Sequence, residues 1–134
     1  VGIKEVPAED VMKYSSMKVE PMEDGCFAIS DMIEKPAPEQ IFSNYSILGR
    51  CVLPSEIFDI LEVTPAGAGG EIQLTDAMAE LARAQGMIAV DFEGKRYDMG
   101  NKLGILQAQV EVALKHPDIG EGFREYLRQI AKTL

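Results

Sequence analysis

An Asp-Gly pair set between two apolar runs constrains this chain more than any other feature. Residues 17–22 and 26–34 are separated by Glu23-Asp24-Gly25. Asp-Gly between apolar runs is a strong signal for a tight antiparallel hairpin, so the chain is committed to a sheet. The second run ends in Met32-Ile33-Glu34-Lys35-Pro36. Pro36 stops a strand because it has no N–H to give to a ladder. Glu34 and Lys35 therefore stand at a strand's end. A carboxylate accepts hydrogen bonds from sugar hydroxyls, and an ammonium holds a phosphate as a point charge. Taken alone, the pair reads more readily as two solvated charges.

The remaining pattern mixes strands with helices. Residues 2–6 read as a strand stopped by Pro7, and residues 45–53, apolar apart from Ser46, Gly49 and Arg50, as a buried strand. A helix opens at Pro54-Ser55-Glu56 with Ile57, Phe58 and Leu61 facing inward. Leu74, Ala77, Met78 and Leu81 give helical spacing, ended by Gly86. Residues 87–92 and 96–98 read as strands. Leu103, Leu106, Val110 and Ala113 mark another helix, broken at Pro117. Asp118 and Glu121 resemble a capping box for a last helix lined by Ile119, Phe123, Leu127 and Ile130. No repeat or linker divides the chain. The expectation is one domain over residues 1–134, of the α/β class with a mixed sheet.

Composition narrows the function. The 134 residues carry 13 basic and 22 acidic side chains, a net charge of −9, which argues against nucleic acid as a partner. No apolar run approaches the ~20 residues a membrane span needs. Cys26 and Cys51 lie in apolar runs, which predicts reduced core residues of a cytoplasmic protein. His116, the one histidine, precedes Pro117 at a helix end, so a histidine-based triad is excluded. The chain opens Val1-Gly2-Ile3-Lys4 without Met and is expected to be a piece of a longer one.

Two further constellations can carry chemistry. Gly67-Ala68-Gly69-Gly70-Glu71-Ile72-Gln73-Leu74-Thr75-Asp76 is a Gly-rich turn followed by an acid and a helix start. Such a turn lets backbone approach a ligand. Thr75 reads as the N-cap, and Asp76 as a complement to the helix dipole. It is not a P-loop, since it lacks the Gly-Lys-Ser/Thr ending. In Arg96-Tyr97-Asp98-Met99-Gly100-Asn101 an aspartate ends a strand, where α/β folds place ligand and metal contacts. Asp98 is suited to Mg²⁺; Asp98 or Asn101 as a helix cap fits equally well.

In this order the blocks resemble one family. Glu34-Lys35-Pro36, Ile47-Leu48-Gly49-Arg50, Gly70-Glu71-Ile72-Gln73-Leu74-Thr75-Asp76 and Glu93-Gly94-Lys95-Arg96-Tyr97-Asp98 look like the C-terminal half of bacterial UTP–glucose-1-phosphate uridylyltransferases, or UDP-glucose pyrophosphorylases. The likeness runs over nearly the whole chain. It implies part of a nucleotide-diphospho-sugar transferase fold, Rossmann-like and glycosyltransferase-A-like. It also implies transfer of UMP from UTP to glucose 1-phosphate, giving UDP-glucose and pyrophosphate. In that resemblance Glu34 binds glucose hydroxyls and Lys35, the catalytic cation, holds the phosphate. Ile47 and Gly49 line the sugar site, Glu71 closes it, and Asp98 is a Mg²⁺ ligand. The family's glycine after its Lys-Tyr pair is Ser15 here, and its Cys-Gly-Asp is Met99-Gly100-Asn101. The nucleotide loop of the N-terminal half has no counterpart, so the chain alone is expected to be inactive and a homo-oligomer is expected. Another sugar-1-phosphate nucleotidyltransferase, such as a thymidylyltransferase, and a non-catalytic sugar-phosphate-binding module are the alternatives.

Overall fold

The predicted hairpin forms. In the computed structural model, which describes residues 1–134, Ser15–Pro21 (β2) runs antiparallel to Cys26–Glu34 (β3). Asp24 and Gly25 turn the chain at φ 56° and 70°, the left-handed region that glycine enters freely and aspartate at small cost. The strand starts two residues before the apolar run, so Ser15 and Ser16 belong to the sheet rather than to a polar loop.

The register slips once. Ser15, Ser16, Met17 and Lys18 face Glu34, Ile33, Met32 and Asp31, whereas Val19 faces Ile29. Ser30 is therefore an extra residue on β3. Strict alternation would send Ile29 and Met32 to opposite faces. The bulge resets the alternation, so both are buried and Glu34 shares their face.

The sheet is mixed, as expected. Its order is β2-β3-β5-β1-β4, with β1 (Gly2–Glu5), β4 (Tyr45–Ile47) and β5 (Met87–Asp91) completing it. β1 and β5 are parallel, and the other pairings are antiparallel. Lys4 secures the parallel pair, reaching Asp91 Oδ1 at 2.8 Å and the Phe92 carbonyl at 3.0 Å. Helices α1 (Glu56–Val63) and α2 (Leu74–Gln85) complete this unit. Ile3, Met17, Ile29, Met32 and Ala89 meet Ala77, Met78, Leu81 and Ala82 of α2 and Ile57 of α1 in one core. Each large side chain so buried contributes ~1.5–3 kcal/mol.

Several expectations fail for identifiable reasons. The strand predicted over 45–53 stops at Ile47, because Gly49 takes φ 71° and turns the chain out of the ladder. Val52 beyond it is 96% exposed and Cys51 is exposed too; Cys26 is only half-buried, so neither cysteine belongs to the core. Phe58 is 69% exposed, since α1 turns only Ile57 fully inward. Residues 96–98 form no strand.

The chain divides into two compact units, Val1–Gly94 and Lys95–Leu134. The second is a helix pair, α3 (Lys102–Lys115) and α4 (Gly120–Ala131). Its buried residues are small: Gly104, Ala108 and Gly120 are buried, whereas Leu103 and Leu106 are exposed. The capping box at Asp118 and Glu121 does not form; Ile119 occupies the cap with no side-chain hydrogen bond. His116 ends α3 as predicted, accepting the Asp118 N–H on Nδ1 at 3.2 Å.

Candidate functional site

The open end of the hairpin gathers several of the predicted residues. Ser15 and Glu34 are cross-strand partners there. They line a cavity of ≈ 270 Å³ with Lys13, Tyr14, Ile47, Gly49, Cys51, Leu74, Thr75 and Met78. Three positions picked out from two separate stretches of sequence, Glu34 and the pair Ile47 and Gly49, thus line one cavity. Lys35 follows Glu34 at φ 46°, an uncommon conformation for a residue with a side chain. Its N–H donates to the Tyr14 carbonyl at 2.7 Å, and buried Pro36 follows it. This hydrogen bond fixes the exposed Lys35 beside the cavity-lining Tyr14.

Serines hold the wall opposite Glu34 in place. β2 and β4 stand at the two ends of the sheet order, yet they meet here. Ser15 Oγ accepts the Ile47 N–H at 3.0 Å, and Ser46 Oγ donates to the Ser15 carbonyl at 2.5 Å. Ser16 Oγ accepts the N–H groups of Phe42 and Ser43 at 2.9 and 3.0 Å and donates to the Ser43 carbonyl at 2.8 Å. Ser43 Oγ in turn donates to the Met17 carbonyl at 2.6 Å. Ser15, Ser16 and Ser46 are all buried, and no buried side-chain polar atom lacks a partner. Hydroxyls here replace a backbone ladder between β2 and the segment that ends in Ile47.

The helix side is built differently from the prediction. Gln73, not Thr75, is the N-cap of α2, and no side chain caps it. Gln73 instead donates its amide to the Ala68 carbonyl at 2.7 Å. Thr75 lies in the first turn, and its Oγ1 donates to Glu34 Oε2 at 2.9 Å. Glu71 is exposed where the Gly-rich turn ends, outside the lining of this cavity. Lys13 is paired with Asp10 at 2.5 Å, which holds its ammonium above the ordinary lysine range. A larger groove of ≈ 780 Å³, lined by Asp31, Phe42, Ile60, Asp76 and Arg83 among others, contains none of the residues to which the resemblance gives a role.

Asp98 lies in the second unit, in the turn before α3. Its Oδ1 accepts the Gly100 N–H at 2.8 Å and its Oδ2 the Asn101 side-chain amide at 3.0 Å. Asn101 Oδ1 then caps α3 by accepting the Gly104 N–H at 2.6 Å. Nearby, Lys95 and Tyr97 both donate to Glu111. Lys95 first and Tyr97 second hold the Glu111 carboxyl below its ordinary range, while Glu111 raises both donors.

Sequence reasoning missed Thr75 as a cavity residue and noted Ser15 only as standing where the family has glycine. Ser15 carried a signal in its place opposite Glu34, but counting back from the turn without the bulge pairs Glu34 with Tyr14. Thr75 carried none beyond a hydroxyl at a helix start, which most often caps.

No family model matches the chain. It is 40% identical over 135 residues to the UTP–glucose-1-phosphate uridylyltransferase of Streptococcus pneumoniae, covering 100% of this chain and 45% of that protein. A Staphylococcus epidermidis protein of the same name is 40% identical over 130 residues, 97% of this chain and 45% of its own length. Among solved structures, a UDP-glucose pyrophosphorylase complexed with UDP-glucose superimposes with a TM-score of 0.82 at 41% identity, over 87% of this chain and 44% of that one. A UTP-bound enzyme from Acinetobacter baumannii does so with a TM-score of 0.80 at 36% identity, over 95% and 44%. This chain is thus similar, by sequence over its whole length and by fold over 87–95% of it, to a little under half of proteins named UTP–glucose-1-phosphate uridylyltransferase.

Proposed function

We propose that this chain, residues 1–134, is the sugar-binding part of a UTP–glucose-1-phosphate uridylyltransferase. In the complete enzyme a phosphate oxygen of glucose 1-phosphate attacks the α-phosphorus of UTP. The new P–O bond forms as the bond to the bridging oxygen breaks, and pyrophosphate leaves with that electron pair. Glu34 accepts hydrogen bonds from the glucose hydroxyls, while Ile47 and Gly49 bound the ring through their backbone. Lys35 is the catalytic cation: it holds the sugar phosphate and offsets charge that builds during transfer. Glu71 closes the site from the Gly-rich turn.

The same reading gives Asp98 a part in holding Mg²⁺. Its carboxylate offers the hard oxygen donors that such a cation takes. Mg²⁺ takes one or two carboxylates and otherwise phosphate oxygens and water, so a single carboxylate from this chain suits it. When bound, the ion neutralises charge on the nucleotide phosphates. No helix is long and apolar enough to cross a membrane, in keeping with the cytoplasmic setting proposed. Exposed apolar side chains such as Phe58 and Val63 favour association with a second copy.

The observation that carries the reading is the gathering of Glu34, Ile47 and Gly49 in one cavity, in a chain so similar to these enzymes. Titration calorimetry on the 134-residue chain tests it. Glucose 1-phosphate is expected to bind and UTP is not, and a coupled assay is expected to detect no UDP-glucose. Absence of glucose 1-phosphate binding would falsify the site assignment. Turnover by the chain alone would overturn the division of labour.

A further inference from the structure

We propose that Thr75 is a positioning residue that fixes the direction in which Glu34 presents its carboxylate to the sugar. The proposal rests on the sugar-phosphate reading of the cavity.

Glu34 is the last residue of β3, and a glutamate at a strand end has free torsions that a sugar site cannot tolerate. Thr75 removes that freedom by donating to Oε2 across 2.9 Å, bridging positions 41 residues apart. Both residues line the cavity, so the held carboxylate stands at the ligand's edge. The threonine suits the task for three reasons. Its branched Cβ leaves few χ1 states in a helix. It sits in the first turn, where the residues three and four positions back are not helical and their carbonyls do not draw the hydroxyl away. Its helix is anchored by buried Ala77, Met78 and Leu81, so the donor rides on a rigid element. Capping does not compete for the hydroxyl, because no side chain caps α2.

The test is a set of dissociation constants on the 134-residue chain, with glucose 1-phosphate and inorganic phosphate as probes. Thr75→Val keeps the shape and removes the donor. It is expected to weaken glucose 1-phosphate by about tenfold or more, as for loss of a hydrogen bond to a charged group, and to leave inorganic phosphate unchanged. Thr75→Ser is expected to stay within about twofold of wild type. Thr75→Ala serves in place of valine if the valine variant does not fold, alanine being the better helix former. In a Glu34→Ala background Thr75→Val should add less than about twofold, because the two residues act as one unit.

Equal losses in both backgrounds, or failure of serine to rescue, would overturn the positioning role. If Glu34→Ala weakens glucose 1-phosphate but Thr75→Val does not, the proposal falls and the site reading stands. If Glu34→Ala has no effect, the site reading falls and takes this proposal with it.

Discussion

One hydroxyl at Ser16 serves three backbone groups, and the side chain is fully buried. Ser16→Ala removes one small polar atom and orphans two N–H groups and a carbonyl. At 1–3 kcal/mol for each group left unsatisfied, less what water recovers, the expected loss is about 2–4 kcal/mol. Urea titration checks this: the midpoint should fall with the m value unchanged. The loss should also reach the cavity, because Ser43 leads into the segment that carries Ile47. Ser16 and Ser15 are easily passed over in a sequence. Small polar residues beside a lysine and a tyrosine look like a loop, and only pairing with Ile33 and Glu34 shows that they are strand.

Elements whose apolar period matches one face were legible. α2 was found from Leu74, Ala77, Met78 and Leu81, and three of those four are buried. α3 was found, but Leu103 and Leu106 of its four marker residues are exposed, and Gly104 and Ala108 are the buried ones, because small residues carry little weight in a hydrophobic pattern. The segment before α3 read as a strand, yet side chains and not a ladder hold it, through Lys95 and Tyr97 on Glu111. This cluster sets a pH dependence. Glu111 titrates below its unfolded value, so its contribution is present above the ordinary carboxylate pKa and is lost as pH falls through the depressed one. Lys95 and Tyr97 titrate above their unfolded values, so theirs is present below those values and is lost only as pH rises through the raised ones. Thermal melts followed by circular dichroism at a series of pH values should show wild type above Glu111→Gln near neutrality, converging with it in acid. A difference that persists in strong acid would contradict the assignment.

At the scale of the whole chain, the proposed sugar site stands on a sheet whose two end strands are joined by serines. It spans about 45% of the length of the curated relatives it matches. The fold class was legible because hairpin, strands and helices each left a local mark. The site was legible only in part, since its closure depends on register, and a bulge at Ser30 leaves no mark in composition. That bulge is the subject of a last prediction. Deleting Ser30 removes the surplus residue and restores regular pairing with Ser15 still opposite Glu34. Glucose 1-phosphate affinity should then stay within about tenfold of wild type. Deleting Ile33 turns Glu34 to the far side of the sheet, and calorimetry should detect no binding. Loss of binding on Ser30 deletion would show that the bend itself shapes the site. The strand thus has a parity: one residue can be dropped where the slack lies, but between Met32 and Glu34 length can change only by twos. A sequence one residue shorter at this point would still set its glutamate opposite the serine, and an alignment that spreads the gap a few positions further would misassign that acid.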